Sequence, residues 1–160
     1  MNLLTAVLHT ENDALRLGRA LETLYLFDDI LIVDHGSRDG TPRLARQYGA
    51  RVIVAEPGHA PQRYLHSVAA EWLFVLDPRE SLTESLAASL YEWKSESLPS
   101  PTPSSFSIFL REETPDGWIA NPVAKTRLIP SRWSQWDGRL PAFDPDSVIL
   151  EGELLRFAFP

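Results

Sequence analysis

Leu31-Ile32-Val33-Asp34-His35-Gly36-Ser37-Arg38-Asp39-Gly40-Thr41-Pro42 is the stretch whose reading decides the fold. An apolar run from Ile30 to Val33 stops at an acid, passes through a Gly-containing turn and meets a second acid. Thr41 then supplies a helix N-cap, and Pro42 suits the first helical position, where its missing N–H costs nothing. The reading is strand, tight turn, helix, with Asp34 and Asp39 at the strand's carboxyl end. In open α/β sheets ligands occupy the crevice outside that end, so both carboxylates are candidate binding groups.

The flanking sequence repeats the pattern. Leu3 to Leu8 is a nearly unbroken apolar run, as expected of a strand buried on both faces, and it ends in the polar turn His9-Thr10-Glu11-Asn12-Asp13. From Ala14 to Leu24 the apolar residues Leu17, Ala20, Leu21 and Leu24 recur at helical spacing. After Thr41, Leu44, Ala45 and Tyr48 share a helix face that Gly49 closes. Arg51 to Ala55 reads as a third strand, Ala60 to Ala70 as a third helix, and Trp72 to Leu76 as a fourth strand ending in Asp77-Pro78-Arg79-Glu80. Ser81 and Glu84 match a capping box for a fourth helix that buries Leu82, Leu86, Leu90 and Trp93. Four alternations of strand and helix predict a Rossmann-like, doubly wound, mainly parallel sheet.

After Trp93 the texture changes. Leu98 to Ser105 is a Pro- and Ser-rich linker, and Phe106–Arg111, Trp118–Ala120 and Val123–Ile129 read as short strands of an antiparallel part. Residues 130–160 show no period but are dense in aromatics, including Trp133, Trp136, Phe143, Phe157 and Phe159. The expected organisation is one domain over residues 1–160, with a ligand-binding half at 1–97 and a shorter half at 98–160. The C-terminal aromatics are read as core, with an exposed part able to bind sugar or a protein partner.

Composition narrows the function. With 15 Lys and Arg against 22 Asp and Glu, the formal charge is −7, which disfavours nonspecific nucleic-acid or anionic-membrane binding. The chain has no Cys, hence no thiolate metal site and no Cys nucleophile. The N-terminal residues do not read as a signal peptide and no apolar run approaches the roughly 20 residues of a membrane span, so a cytoplasmic protein is expected.

Residues 4–80 resemble the family 2 glycosyltransferases, which have the GT-A fold. Those proteins carry a Thr-x-Asn-Glu turn after the first strand, matched by Thr10-Glu11-Asn12-Asp13. They carry a Val-Asp-x-Gly-Ser-x-Asp-Gly-Thr signature after the second, matched from Val33 to Thr41. Tyr48-Gly49-Ala50 before a Val-rich strand also fits, and Arg63 keeps the Arg of an Arg-Asn pair found near the donor. Leu76-Asp77-Pro78-Arg79-Glu80 stands where relatives have Leu-Asp-Ala-Asp-Glu.

The resemblance implies a nucleotide-diphosphate sugar as donor and transfer to an acceptor hydroxyl with inversion. It places Thr10, Asn12, Asp13, Asp34, Gly36, Ser37, Asp39, Arg63, Asp77 and Arg79 at the nucleotide sugar, with Asp34 on the base. Asp77 and Glu80 would hold a Mn or Mg cation, since hard oxygen ligands suit such ions and the ion neutralises the departing diphosphate.

Two departures point the other way. Arg79 replaces the second metal acid; a guanidinium repels a cation but can face the diphosphate itself. Trp136-Asp137-Gly138-Arg139-Leu140-Pro141-Ala142 puts Pro141 and Ala142 where relatives carry a catalytic His-Glu, leaving Asp137, Asp144 and Asp146 as nearby acids. A non-catalytic descendant, acting as a binding or scaffold protein through its cleft or its aromatic face, is therefore the alternative. His9 and His35, at neighbouring strand ends, raise a separate idea of a transition-metal site, set against ordinary hydrogen-bonding roles.

Overall fold

The computed structural model describes residues 2–160; Met1 lies outside them. β1 (Leu4–Thr10), β2 (Asp29–Asp34), β3 (Arg51–Val54) and β4 (Trp72–Val75) lie parallel in the order β3-β2-β1-β4. α1 (Leu17–Glu22) and α2 (Thr41–Gln47) follow β1 and β2. The chain works outward from β1 to β3 and then returns to place β4 on the other flank of β1. That reversal puts a topological switch point between β1 and β4, where the strand ends splay and a crevice opens.

Beyond β4 come β5 (Glu80–Leu82), α3 (Glu84–Ser95), β6 (Phe106–Thr114), β7 (Gly117–Ala120), β8 (Lys125–Pro130), a short hairpin of β9 (Trp136–Asp137) and β10 (Leu140–Pro141), and β11 (Val148–Arg156). The sheet continues from β4 through β8, β6 and β11 to β5. β4–β8, β8–β6 and β11–β5 pair antiparallel, β6–β11 parallel, and β7 pairs with β6. Both halves of the chain thus build one sheet, because β8 and β11 from the second half pair with β4 and β5 from the first.

Side-chain alternation along β1 sends Leu4, Ala6 and Leu8 to one face, where they pack with Leu17, Leu21, Leu24, Phe74, Leu86 and Leu90. Val7 faces the other side with Leu31, Val33, Leu73 and Val75, and there Leu65, Trp133, Trp136 and Leu140 cover it. Each such Leu, fully buried, contributes on the order of 2 kcal/mol. The β9–β10 hairpin is therefore anchored by apolar contacts on the face of the sheet that carries the crevice.

Several elements differ from expectation. The first helix is shorter than predicted, and residues 61–67 form a 3-10 helix in place of the regular helix expected over 60–70. Ser81 and Leu82 lie in β5, so no Ser81–Glu84 capping box forms; Thr83 caps α3, its hydroxyl accepting from the Leu86 N–H at 3.2 Å. Gly40, not Thr41, precedes the first turn of α2, and Thr41 is free for the use described below. The linker is pinned as well: Trp72, Trp93 and Phe106 form an aromatic cluster with centroids 5.4–6.1 Å apart at its base.

Candidate functional site

The loops after β1 and β2 are laced together by the residues of the two motifs. Thr10 Oγ1 donates to Asp34 Oδ1 at 2.7 Å, and Ser37 donates to the same carboxylate from its hydroxyl (2.6 Å) and its backbone N–H (2.9 Å). The Asn12 N–H donates to Ser37 Oγ at 2.8 Å, and Asn12 Oδ1 accepts from the Arg38 N–H at 2.8 Å. Farther out, the Ala14 N–H reaches Asp39 Oδ2 at 3.1 Å and the Asp13 N–H reaches Thr41 Oγ1 at 2.8 Å. Asn12 adopts a left-handed backbone conformation (φ 54°), which Asn tolerates better than most residues, and Gly36 does the same (φ 76°).

Asp34 is thereby put to a different use from the one the resemblance implies. Its side chain is 3% exposed and both oxygens accept hydrogen bonds from Thr10 and Ser37. A buried carboxylate with three donors is a satisfied structural hub. Asp34, Ser37 and Asp39 set the shape of the crevice wall; Asp13 remains on its surface.

The crevice itself lies at the carboxyl ends of β1 and β4. A cavity of about 200 Å³ is lined there by His9, Glu11, Asp13, Arg16, Asp77, Arg79 and Arg139, among others. A second cavity of about 370 Å³ opens over β2 and β3, lined by His35, Gly36, Ala55, Glu56 and His59 and again by Glu11 and Arg139. Arg139, at the tip of the β9–β10 hairpin, donates to Glu11 Oε1 at 2.8 Å, so this ion pair spans the boundary between the two chambers.

Charge in the first chamber comes from both signs. Burial raises the Asp13 carboxyl above its ordinary value. Burial alone would raise Asp77 as well, but the hydrogen bonds and charge of Arg79 overcome it and hold Asp77 low. Arg79 Nε lies 2.9 Å from Asp77 Oδ1 and Nη2 lies 3.2 Å from Oδ2. Arg16 Nε is buried without a hydrogen bond but forms an ion pair with Asp13, 3.6 Å from its Oδ1.

Glu80 does not reach the crevice. It is wholly buried, forked by Arg127 and held by Arg156 Nη1 at 3.0 Å. Burial would raise its carboxyl, but Arg127 outweighs this and keeps it ionised. Its Oε1 accepts from the Asp77 N–H at 2.8 Å, so Glu80 fixes the strand-end turn from below. With Glu80 inside and Asp77 occupied by Arg79, the acids at this strand end do not fit a divalent cation. No group of three or more His, Asp or Glu converges on a common point among the described residues.

The histidines also resolve. His9 Nδ1 and His35 Nε2 lie 2.8 Å apart with ring centroids 5.1 Å apart. The centroid separation exceeds the N···N distance by about two ring radii, so the nitrogens aim at each other along one line. That is a shared proton, not two lone pairs converging on a metal ion. Burial, then the charges of His35 and Arg139, push His9 down to about 3, and burial and Arg139 lower His35.

Of the expected residues, Asp13, Asp77 and Arg79 line the first chamber and Gly36 the second, whereas Thr10, Asn12, Asp34, Ser37 and Asp39 line neither and form the hydrogen-bonded loops after β1 and β2. Arg63 sits in the exposed 3-10 helix and lines neither, and Glu80 belongs to the core. Sequence reasoning missed Arg16, Glu11 and Arg139. Arg139 had a signal: it follows Gly138 in the Trp-x-Gly element, a turn position that presents the next side chain at a hairpin tip.

Comparison with known proteins finds partial matches. No family model matches the chain. An uncharacterized glycosyltransferase of Rickettsia felis is 33% identical over 91 residues, covering 54% of this chain and 32% of the relative. The chain thus spans about a third of the length of that curated relative. A solved mycobacterial protein is 19% identical and superposes with a TM-score of 0.53 over 71% of this chain and 42% of its own. Glucosyl-3-phosphoglycerate synthase from Mycobacterium tuberculosis, solved with Mn2+, UDP and phosphoglyceric acid, is 23% identical with a TM-score of 0.44, covering 50% of this chain and 34% of its own. With the parallel β3-β2-β1-β4 core and the crevice at its switch point, the chain has the GT-A fold, and a stretch of 91 of its residues is similar to glycosyltransferases.

Proposed function

We propose that the crevice binds a nucleoside-diphosphate sugar, with the diphosphate held by the chain's own guanidiniums in place of a metal ion. The observation that carries this is the first chamber: Arg16, Arg79 and Arg139 line it together, at the switch point where this sheet type takes its ligands. Fixed, preoriented positive charge can stabilise a leaving diphosphate as a cation does, and guanidinium forks match phosphate oxygens. The base and ribose lie over β2 and β3, beside His35, Gly36 and His59. In transfer with inversion, the acceptor oxygen bonds to the anomeric carbon as the bond to the diphosphate breaks, and the acceptor's hydroxyl proton passes to solvent water. The electron pair leaves with the diphosphate, facing the arginines.

A second reading is favoured by one observation. Asp144 is held by the hydroxyls of Ser104 (2.6 Å) and Ser105 (2.7 Å), and Asp137 lines a neighbouring cavity, not this crevice. With Pro141 and Ala142 at the positions of the relatives' His-Glu, the chain then binds a donor without transferring its sugar. Incubation with UDP-glucose and GDP-mannose, following both binding and release of free nucleotide, separates the two. Binding with release supports a transferase; binding without release supports the binding protein. No binding of either sugar nucleotide, or of UDP or GDP, contradicts both.

A further inference from the structure

Glu11 and Arg139 are joined across the crevice although nothing in the core requires it. Both side chains are about half exposed (51% and 45%), and the bond between them is a single contact at 2.8 Å. An exposed ion pair of this kind contributes little to stability and exchanges readily. The chamber it closes on the β4 side, about 200 Å³, is smaller than the roughly 300–1,000 Å³ of ordinary small-molecule sites. A ligand reaching from Gly36 over β2 to Arg79 beyond β4 has to pass where this pair stands, since both residues line both chambers.

We infer that Arg139 is a diphosphate-binding residue and that Glu11 is its internal competitor. In the free protein Glu11 occupies the guanidinium. When a nucleoside diphosphate lies along the crevice, the guanidinium turns from one carboxylate oxygen to the diphosphate, which offers more charge and a bidentate fit. The hairpin itself need not move: Trp136 and Leu140 on either side of the tip remain packed on the sheet, and only the Arg139 side chain changes partner. Loss of Arg139 also leaves Glu11 with no counter-charge, so the crevice mouth turns repulsive towards phosphate.

This inference rests on the donor-binding reading above, and the two fail differently. Titration calorimetry at low salt is done with UDP and with inorganic pyrophosphate on the wild-type chain, Arg139→Gln and Glu11→Gln. Arg139→Gln is expected to weaken both ligands by about tenfold, the scale of a lost charge-assisted pair. Glu11→Gln is expected to tighten both by about threefold, the scale of an exposed ion pair released. Equal affinities in all three proteins overturn the inference and leave the donor reading standing. Weaker binding in Glu11→Gln also overturns it, because Glu11 is then a ligand and not a competitor. If none of the three binds UDP or pyrophosphate, the donor reading itself fails and the inference with it.

Discussion

Arg79 folds back on Asp77: its Nε and Nη2 lie 2.9 and 3.2 Å from the two carboxylate oxygens, and its backbone N–H donates to Oδ1 at 2.9 Å. The acid that the resemblance would assign to a cation is here neutralised from within. Arg79→Ala is expected to weaken UDP binding by about tenfold, since a hydrogen-bonded charge of this type contributes about 1.5–3 kcal/mol. Arg79→Asp restores a second acid beside Asp77 and is expected to make UDP binding depend on Mn2+. Calorimetry of both variants with and without the ion checks this; metal-independent binding of undiminished affinity in Arg79→Ala contradicts it.

Glu80 predicts a stability effect, not a binding one. It ties β5 to β8 and β11 through Arg127 and Arg156 with no exposed surface of its own. Glu80→Gln strands two guanidiniums and is expected to cost about 3–5 kcal/mol. For a chain of this size that is a fall in Tm of roughly 10 °C. Urea unfolding measures the first figure and thermal melting the second; an unchanged midpoint places the ion group outside the core.

Gly152 makes a backbone approach that no other residue can. Its φ is +103°, and a Cβ there would stand 2.5 Å from the Leu86 N and Cα in the first turn of α3. Gly152→Ala is expected to destabilise by about 2–4 kcal/mol through strain and overpacking together. The check is the denaturant midpoint, with Gly138→Ala at the solvent-exposed hairpin tip as the milder comparison, because nothing lies within 4 Å of its added Cβ.

His9 sets a pH dependence whose sign is fixed. Its folded pKa of about 3 lies below the ordinary 6.5, so the folded chain resists a proton that the unfolded chain accepts. Stability from this group is full above pH 6.5 and falls below it, by about 1.4 kcal/mol per pH unit at most. The lowered His35 acts in the same direction. Glu11, Asp77 and Glu80 are held below their ordinary values and titrate below this window, whereas Asp13, raised by burial, works in the opposite direction to the histidines. Unfolding free energy at pH 7.5 and 5.5 tests this, and His9→Asn is expected to flatten the slope; an equal slope in the variant contradicts it.

The first half of the fold was legible because its signals are local. Apolar runs such as Ile30–Val33, the Asp34–Thr41 turn and the Leu17–Leu24 spacing each declare an element without reference to the rest. β11 was not legible: most of its residues are only partly buried, Leu154 alone is fully so, and two Glu and a Gly interrupt it. It is a strand because β6 and β5 flank it, a contact over long sequence separation. β5 was misread because Ser81 three residues before Glu84 also fits a cap, and the burial of Glu80 depends on Arg127 and Arg156, 47 and 76 residues away. In the site, motif residues were found by spacing, but whether they face ligand or each other is tertiary information. Asp34 and Asp39 hold loops; Arg139, from the far end of the chain, completes the crevice.

The most direct test of the account is the affinity for UDP measured by calorimetry in the presence of EDTA and again with Mn2+. A crevice that supplies its own positive charge gives the same dissociation constant in both. Binding seen with Mn2+ alone, or none in either buffer, contradicts it.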